Sequence, residues 1–281
     1  MEILDGRVVK KKILEDLRDK LGKIDRKLSF VVIQIGDNLV DDIYIRSKKR
    51  MASDLGYDFK HLKFGDNILE SDIISAIKKL NDDDNIDGIM IELPIPGNLD
   101  YDLIRNVIDP YKDIDGVTDI NMGKLITNNN GIVSCTALGV IEFLKYYGIV
   151  LSGKDVVVVG RSNLIGKPLF NLFTNEDSTV TVCHSKTKNL SFYTKNADIL
   201  VSCVGKAKFI TGDMIKDGSV IVDVGTNVVD GKLCGDVDFD SLIDKDGYIT
   251  PVPGGVGQVT TAMLGSNVYN CYKLRKVKKY R

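Results

Sequence analysis

The sequence predicts an α/β protein made of two α/β domains that flank a cleft. Apolar runs of strand length, rich in β-branched residues, alternate along the chain with segments of helical length. One of these runs, in residues 155–168 (DVVVVGRSNLIGKP), leads through a glycine turn into a helix start, which is typical of a parallel strand–helix unit. A chain of 281 residues is also long enough to bury two cores.

The first half of the chain alternates strands and helices and makes one α/β domain. Strands are predicted at residues 29–36, 58–64 and 87–96, the last of them broken by its prolines. Helices are predicted at residues 7–21, 40–55, 71–80 and about 101–107. A loop-like span, residues 109–134, then leads to a helix at 136–148 that Thr136 caps and Gly148 ends.

Residues 155–168 are the centre of the second domain. Gly160 ends the apolar strand, Gly166 lets the next helix pack closely on that strand, and Pro168 fits a first helical turn. A helix N-terminus at the end of such a strand receives phosphate well. The spacing differs from G-x-G-x-x-G, so an ordinary strand–helix turn stays an equal alternative on this motif alone.

The strands that follow favour a dinucleotide site and hence a Rossmann-like fold for the second domain. The strands in residues 178–185, 197–205 and 218–227 end in small or polar residues, as expected where strand ends face a ligand crevice. NAD sites usually place an acid about 20 residues after the first turn, to hold the ribose 2′-hydroxyl. Here the second strand ends in His184, Ser185 and Lys186, and Arg161 follows the first. This pattern favours a 2′-phosphate, so the predicted cofactor is NADP.

Composition narrows the functional class. Lys and Arg total 38 against 39 for Asp and Glu, so no net field points to nucleic acid or to a membrane surface. Five scattered cysteines without a C-x-x-C pair indicate reduced thiols rather than disulfides or a metal site. The N-terminus has no signal-peptide core, and no apolar run reaches the length of a membrane span. We therefore expect a soluble cytoplasmic protein.

The helix at residues 40–55 carries an unusual lysine. On a helical wheel of about 100° per residue, Lys48 lies about 40° from Tyr44 and falls on the apolar stripe, whereas its basic neighbours point away. A lone lysine is usually solvated. A lysine on the packed face has altered proton affinity and can do acid, base or electrostatic work, so we weigh both roles equally.

Acidic residues and a glycine-rich loop complete the candidates. Glu92 ends an apolar strand and should either face the crevice or meet a cation, with a solvated strand-end acid as the alternative. Asp113 and Asp115 precede Gly116 and are more simply explained as turn residues. Residues 251–257 (PVPGGVG) form a stiff loop with few side chains, whose backbone can approach a flat ligand.

Together these stretches resemble the bifunctional methylenetetrahydrofolate dehydrogenase/cyclohydrolase (FolD) family. The matching runs appear in family order over nearly the whole chain and are YIRSKK, IELPIP, KDIDG, GRSNLIGKP, CHSKT, VDVGTN and TPVPGGVG. The resemblance implies a catalytic domain of residues 1–117 completed by a C-terminal helix, residues 259–281. It also implies an NADP-binding domain of residues 134–252, tetrahydrofolate derivatives as substrates and a homodimer.

The resemblance also implies a role for each matching residue. Lys48 is expected to be the catalytic lysine, Tyr44 to stack on the folate ring system, and Asp115 to accept hydrogen bonds from the pterin edge. The backbone of Pro253, Gly254 and Gly255 is expected to border folate and nicotinamide. The residues expected to hold NADP are Gly160, Arg161, Ser162, Ser185 and Thr226. The implied reactions are oxidation of 5,10-methylenetetrahydrofolate by NADP+ and hydrolysis of the methenyl product to 10-formyltetrahydrofolate.

The chain departs from the family pattern at three positions. The family usually has Gln at position 92 and Pro at positions 137 and 258, where this chain has Glu92, Ala137 and Gln258. Glu92 affects the chemistry, because an ionised carboxylate close to Lys48 would favour the charged lysine. We expect that ionised pair, with a protonated Glu92 that mimics glutamine as the alternative. The pair predicts a cyclohydrolase that is weak relative to the dehydrogenase.

Overall fold

The computed structural model describes residues 1–37, 39–242 and 244–279, and all of their side chains except those of residues 39–43 and 278–279. Its strands are β1 (Glu2–Ile3), β2 (Ser29–Ile35), β3 (Asp58–Phe64), β4 (Gly88–Ile91), β5 (Asp155–Val159), β6 (Thr179–Cys183), β7 (Ile199–Ser202), β8 (Val220–Asp223), β9 (Asn227–Val229), β10 (Lys232–Cys234) and β11 (Tyr248–Ile249). Its helices are α1 (Gly6–Leu21), α2 (Leu39–Leu55), α3 (Glu70–Asp82), α4 (Tyr101–Arg105), α5 (Asp119–Ile126), α6 (Cys135–Tyr146), α7 (Gly166–Asn175), α8 (Leu190–Thr194) and α9 (Val256–Lys279). Within the described residues, no helix is long and apolar enough to cross a membrane.

The chain divides into two compact units, each made of two stretches of sequence. One unit comprises Ile13–Cys135 and the chain from Thr261 onward, and we call it the Lys48 unit. The other comprises Met1–Lys12 and Thr136–Thr260, and we call it the Gly160 unit. The boundaries fall inside α1, after the first residue of α6 and inside α9.

The Lys48 unit is built on a three-stranded parallel sheet in the order β3-β2-β4. All seven residues of the central strand β2 are buried, which explains its apolar run at residues 30–33. Ile73 and Ile77, one turn apart on α3, are both fully buried and join the isoleucine-rich core of this sheet. β4 is an edge strand of this sheet and packs on the same core. The loop after β4 therefore begins at a well-packed strand end.

The Gly160 unit contains a six-stranded parallel sheet in the order β1-β11-β8-β7-β5-β6 and a separate antiparallel hairpin, β9-β10. From β5 the chain moves outward to β6 on one side and then crosses to β7 on the other. The carboxyl ends of β5 and β7 therefore form a topological switch point, the position at which doubly wound sheets bind ligands. This architecture agrees with the predicted Rossmann-like domain.

The start of the chain is placed differently from the sequence expectation of a first domain at residues 1–117. β1 pairs in parallel with β11, and Leu4 donates its backbone N–H to Ile249 at 2.8 Å, so the first twelve residues belong to the Gly160 unit. A two-residue edge strand carries no periodicity that a sequence could reveal. The chain from Thr261 onward does lie with the Lys48 unit.

Two local predictions are wrong. The loop-like span at residues 109–134 contains α5, whose N-cap Thr118 accepts a hydrogen bond from Asn121 N–H at 3.4 Å. Thr136 lies inside α6, since that helix already begins at Cys135. α5 has only eight residues, fewer than the window of about 11–18 residues that a hydrophobic-periodicity argument needs.

The glycines of the loop after β5 allow a close approach of backbones. Gly160 has a φ of 139°, a conformation that other residues rarely adopt. A Cβ on Gly166, the first residue of α7, would overlap the carbonyl group of Gly160. The predicted roles of both glycines are confirmed, because the helix starts where only a hydrogen fits.

Replacing Gly166 by Ala should destabilise the Gly160 unit by about 1–3 kcal/mol, because the atoms that the new methyl group meets are backbone atoms and cannot move aside. Denaturant unfolding measures this loss. The matched control is Gly257→Ala in the first turn of α9, where a Cβ would meet no atom within 4 Å. Equal stabilities of the two variants would contradict the close-approach argument.

Candidate active site

A buried salt bridge joins α2 to the end of β4. Lys48 and Glu92 are only 8% and 5% exposed, and Lys48 Nζ donates to both carboxylate oxygens of Glu92 at 2.9 and 2.8 Å. Lys49 and Arg50 beside it are exposed, so the helical-wheel prediction that Lys48 alone turns inward is confirmed. Glu92 meets a cation, as one of the two sequence alternatives required.

The ring of Tyr44 lies next to the same ammonium group. The centroid of the ring is 5.6 Å from Lys48 Nζ, within range of a cation–π interaction, and Tyr44 is 47% exposed. The ammonium group of Lys48 is therefore bound by Glu92 on one side, and the exposed ring of Tyr44 lies one helical turn away. An exposed ring at this position offers a surface on which a flat ligand can stack.

The turn at residues 113–116, which follows α4, separates the roles of two aspartates. Asp113 is fully buried, and its carboxylate accepts hydrogen bonds from Val117 N–H at 3.2 Å, Thr118 N–H at 2.9 Å and Asn121 Nδ2 at 2.9 Å. Asp113 is thus the turn residue that the sequence favoured for both. The hydrogen bonds of Asp113 fix the turn that carries the partly buried Asp115.

Asp115 sits in the field of the salt bridge. The pKa of its carboxyl group is raised to about 7, first by burial and then by the charges of Asp113 and Glu92, whereas Lys48 lowers it. A carboxyl group with this pKa exchanges its proton near neutral pH. Asp115 is therefore electrostatically coupled to Lys48 and Glu92, which a simple turn residue would not need.

Two residues of this region were missed by the sequence argument. Cys135 lies fully buried at the start of α6, and burial strongly raises the pKa of its thiol. Asn267 of α9 donates through Nδ2 to the carbonyl oxygens of Ile114 and Val133, both at 2.9 Å, and to Cys135 Sγ at 3.3 Å. These bonds fasten the backbone beside Asp115 to a helix more than 130 residues away in sequence. No local motif announces such contacts.

The Gly160 unit holds the residues expected to bind a dinucleotide. Arg161 and Ser162 follow Gly160 at the carboxyl end of β5, where Ser162 Oγ accepts hydrogen bonds from Ile165 N–H at 3.1 Å and Gly166 N–H at 3.4 Å. This hydroxyl orders the entry to the ten-residue helix α7. The N-terminus of α7 therefore opens at the switch point, where its dipole favours a phosphate.

The other expected cofactor residues are exposed at neighbouring strand ends. Arg161, Ser185 and Thr226 follow β5, β6 and β8, respectively, and all three are exposed. Ser185 lies in a turn in which Lys186 donates its backbone N–H to His184 Nδ1 at 3.2 Å. A cation and a hydroxyl group are thus available at the end of the sheet where the sequence lacks an acid.

The glycine-rich loop before α9 is anchored to the beginning of the chain. Gly6 donates its backbone N–H to the carbonyl of Gly254 at 2.8 Å, and a Cβ on Gly6 would overlap the carbonyl oxygen of Gly255. Gly254 itself has a φ of 114°. The loop of Pro253, Gly254 and Gly255 belongs to the Gly160 unit, whereas Tyr44, Lys48, Glu92 and Asp115 belong to the Lys48 unit.

Comparison with known families explains this division. The catalytic domain of tetrahydrofolate dehydrogenase/cyclohydrolase matches residues 4–115, and the NAD(P)-binding domain of the same family matches residues 134–276. The chain belongs to the tetrahydrofolate dehydrogenase/cyclohydrolase family. The resemblance seen in the sequence motifs is thereby confirmed, together with the two-domain α/β fold.

Relatives within this family are similar over almost their whole length. The bifunctional protein FolD of Campylobacter concisus is 45% identical over 271 residues, which cover 95% of this chain and 96% of the relative. The crystal structure of FolD from Campylobacter jejuni, a methylenetetrahydrofolate dehydrogenase/cyclohydrolase, superposes with a TM-score of 0.95 at 40% identity and covers 98% of this chain and 99% of that one. The Trypanosoma brucei enzyme, complexed with NADP cofactor and an inhibitor, gives a TM-score of 0.91 at 35% identity over 98% of each chain.

Proposed function

We propose that this protein oxidises 5,10-methylenetetrahydrofolate with NADP+ and hydrolyses the 5,10-methenyl product to 10-formyltetrahydrofolate. The observation that carries the proposal is the buried Lys48, whose ammonium group lies between the Glu92 carboxylate and the ring of Tyr44. Relatives of this family are named as bifunctional enzymes. Those names give no support to a dehydrogenase with weak or absent hydrolysis, so we retain both half-reactions.

Lys48 is the group that moves protons in the hydrolytic half. Water must add to the methenyl carbon and give up both of its protons; one goes to the ring nitrogen as the ring opens, and the other is released. An amine removed from water and held by a carboxylate can exchange a proton without swinging into solvent. The contact between Lys48 and Glu92 supports this role, because it fixes the position of Nζ.

Tyr44 and Asp115 position the folate. The exposed ring of Tyr44 provides a stacking surface for the pterin ring system. The Asp115 carboxylate can accept two N–H groups from the edge of the pterin, a two-point match that sets the orientation of the ring. Glu92 acts on the substrate through Lys48. With the folate oriented in this way, the methylene carbon of the substrate can interact with Lys48.

The residues at the carboxyl ends of β5, β6 and β8 fit NADP. A Cβ on Gly160 would lie 2.8 Å from the carbonyl oxygen of Cys203, so the backbone of the loop comes close to the neighbouring strand end without side-chain bulk. Arg161 and Ser185 supply a cation and a hydroxyl group for the 2′-phosphate, and Ser162 and Thr226 flank the same crevice edge. NADP+, when bound, accepts the hydride of the first reaction.

A two-wavelength absorbance assay tests the proposed function. The full-length protein is mixed with 5,10-methylenetetrahydrofolate and NADP+, and both the appearance and the decay of the methenyl species are followed. We expect both phases in the wild type. Lys48→Met should lose the catalysed decay, and Lys48→Met/Glu92→Gln controls for the carboxyl group left buried without its partner. The absence of both phases in the wild type would refute the proposal.

Arg161 should select NADP over NAD. A charge-assisted hydrogen bond contributes roughly 1.5–3 kcal/mol, so Arg161→Ala should raise the KM for NADP by about tenfold or more and leave the KM for NAD nearly unchanged. Steady-state kinetics with both cofactors measures the ratio. Lys167→Ala, at an exposed position in the first turn of α7, is the matched control for a loss of positive charge. Equal effects of Arg161→Ala on the two cofactors would assign the arginine another role.

Glu92 should restrain the hydrolytic half-reaction. The carboxylate of Glu92 holds the ammonium group of Lys48 through two charge-assisted hydrogen bonds, and a neutral amide in its place would hold it less tightly. Glu92→Gln should therefore accelerate methenyl hydrolysis at neutral pH more than it changes hydride transfer. Both rates are measured across pH in the two proteins. Unchanged rates and pH profiles would mean that Glu92 already carries a proton and acts as an amide does.

Asp115 should make folate binding depend on pH. Burial raises the pKa of this carboxyl group to about 7, so it is mostly protonated at pH 6 and mostly ionised at pH 8. Only the ionised form accepts both N–H groups of the pterin edge, so the affinity for tetrahydrofolate should increase by about tenfold over this interval. Calorimetric titration measures the affinity at each pH. Asp115→Asn should bind more weakly and without this pH dependence; a profile unchanged by the substitution would point to another group.

We also propose that the protein is a cytoplasmic homodimer. Val228 and Leu233 stand opposite each other on the β9-β10 hairpin and are 69% and 50% exposed, an apolar pair that supports burial against a second copy. Light scattering should give about twice the 31.0 kDa mass of the chain. Val228→Lys should give monomers, whereas Val150→Lys, at another exposed valine of the Gly160 unit, should not. A monomeric wild type would refute the dimer.

The five free thiols agree with a reducing compartment.

A further inference from the structure

We propose that Asp236 is a positioning residue for the dinucleotide. Its buried carboxylate occupies the backbone N–H groups of the loop after β7 and fixes this wall of the crevice for the nicotinamide half of the cofactor. The inference rests on the proposed NADP-dependent function. It concerns a residue that follows β10 and lies outside the sequence motifs discussed above.

The carboxylate of Asp236 accepts hydrogen bonds from two segments of the chain, residues 202–206 and Asn227. Asp236 is fully buried, and it accepts the backbone N–H groups of residues 204, 205 and 206 at 2.7, 3.3 and 2.9 Å. Ser202 Oγ and Asn227 Nδ2 donate to it as well, both at 3.1 Å. All five donors are uncharged groups, and in the described part of the chain no lysine or arginine forms a salt bridge with this carboxylate. The buried charge is therefore balanced by N–H and O–H dipoles.

Three successive N–H groups that converge on one point form an anion-binding nest. In this protein the nest binds the carboxylate of Asp236, so its three N–H groups point away from any phosphate of a bound ligand. The diphosphate of the cofactor is left to the N-terminus of α7 on the adjacent strand β5. The loop after β7 instead presents the side chain of Val204, which is 36% exposed, as an apolar surface suited to a flat ring.

The loop after β7 packs against neighbouring segments, so its position affects theirs. The Cβ-free Gly160 packs on Cys203, so a shift of the loop after β7 would move the turn after β5 as well. Asp236 is itself held in place, since the buried Asp223 accepts the backbone N–H groups of Asp236 and Val237, both at 2.9 Å. A Cβ on Gly225 would overlap the carboxylate of Asp236, so the chain is shaped around this group.

An asparagine cannot reproduce these contacts. One carboxylate oxygen of Asp236 receives Val204, Gly205 and Ser202, and the other receives Lys206 and Asn227. Either orientation of an amide would turn its NH2 group against N–H donors. Asp236→Asn therefore releases part of the loop while it preserves the volume of the side chain.

The test compares two ligands on the full-length protein by calorimetric titration. The ligands are NADP+ and adenosine 2′,5′-bisphosphate, which carries the adenine half of the cofactor and its 2′-phosphate but lacks the nicotinamide. In Asp236→Asn the Kd for NADP+ should rise by about tenfold, whereas the Kd for the bisphosphate should change by less than about twofold. The KM for NADP+ should rise with the Kd, and kcat should fall because the ring is held less firmly.

The control is Asp240→Asn, whose carboxylate lies four residues further on and is 85% exposed. It should change neither affinity. If Asp236→Asn does not fold, Ser202→Ala replaces it; this variant removes one donor and should weaken NADP+ binding by about threefold while it spares the bisphosphate. Equal losses for both ligands, or none, would overturn the inference. Failure of the wild type to bind NADP+ would overturn the proposed function as well, whereas wild-type binding without a selective loss overturns the inference alone.

Discussion

The structure of the Lys48 unit depends on the buried salt bridge between Lys48 and Glu92. Removing two ions from water is costly, and their attraction offsets the cost only when geometry is good. The ammonium group must therefore contact both carboxylate oxygens, which requires α2 and the end of β4 to keep a fixed position relative to each other. A rotation of α2 by one residue would turn Lys48 away by about 100°, and a slip of one residue in β4 would send Glu92 to the opposite face of the sheet. The pairing of β4 with the fully buried β2 excludes such a slip.

Internal carboxylates hold the functional loops of both units. Asp113 binds the N–H groups of the turn that carries Asp115, and Asp236 binds those of the loop after β7. Each group is buried; Asp113 forms an isolated parallel bridge with Ile89 of β4, whereas Asp236 contacts the carboxyl end of β7 through Ser202. The N–H groups of the adjoining loops that pair with no strand find their acceptors in these aspartates, which add little bulk. Order in these loops therefore comes from buried polar contacts instead of regular pairing.

The sequence predicted the features that depend on local periodicity and spacing. The inward face of Lys48 follows from the helical repeat, and the roles of Gly160 and Gly166 follow from the order of strand, turn and helix. Features that depend on contacts between distant segments could not be read in this way. The bonds from Asn267 to the backbone beside Asp115 join residues 153 positions apart, and no pattern around Asn267 signals them. The strand β1 was missed for the same reason, since only its partner β11 gives it meaning.

The residue at position 92 also influences Asp115, the residue that we propose binds the substrate. Lys48 lowers the pKa of Asp115 and Glu92 raises it, so the carboxylate opposes the effect of the ammonium group on that carboxyl group. Burial, followed by the charge of Asp113, dominates, and the pKa settles at about 7 instead of falling below its usual range. With a neutral amide at position 92, the positive charge of Lys48 would act on Asp115 without this opposition and would favour its ionised form. The carboxylate of Glu92 thus couples the lysine that we propose for the hydrolytic half to the carboxyl group that we propose for orienting the pterin. On that proposal, a substitution at this single position alters proton transfer and substrate binding together.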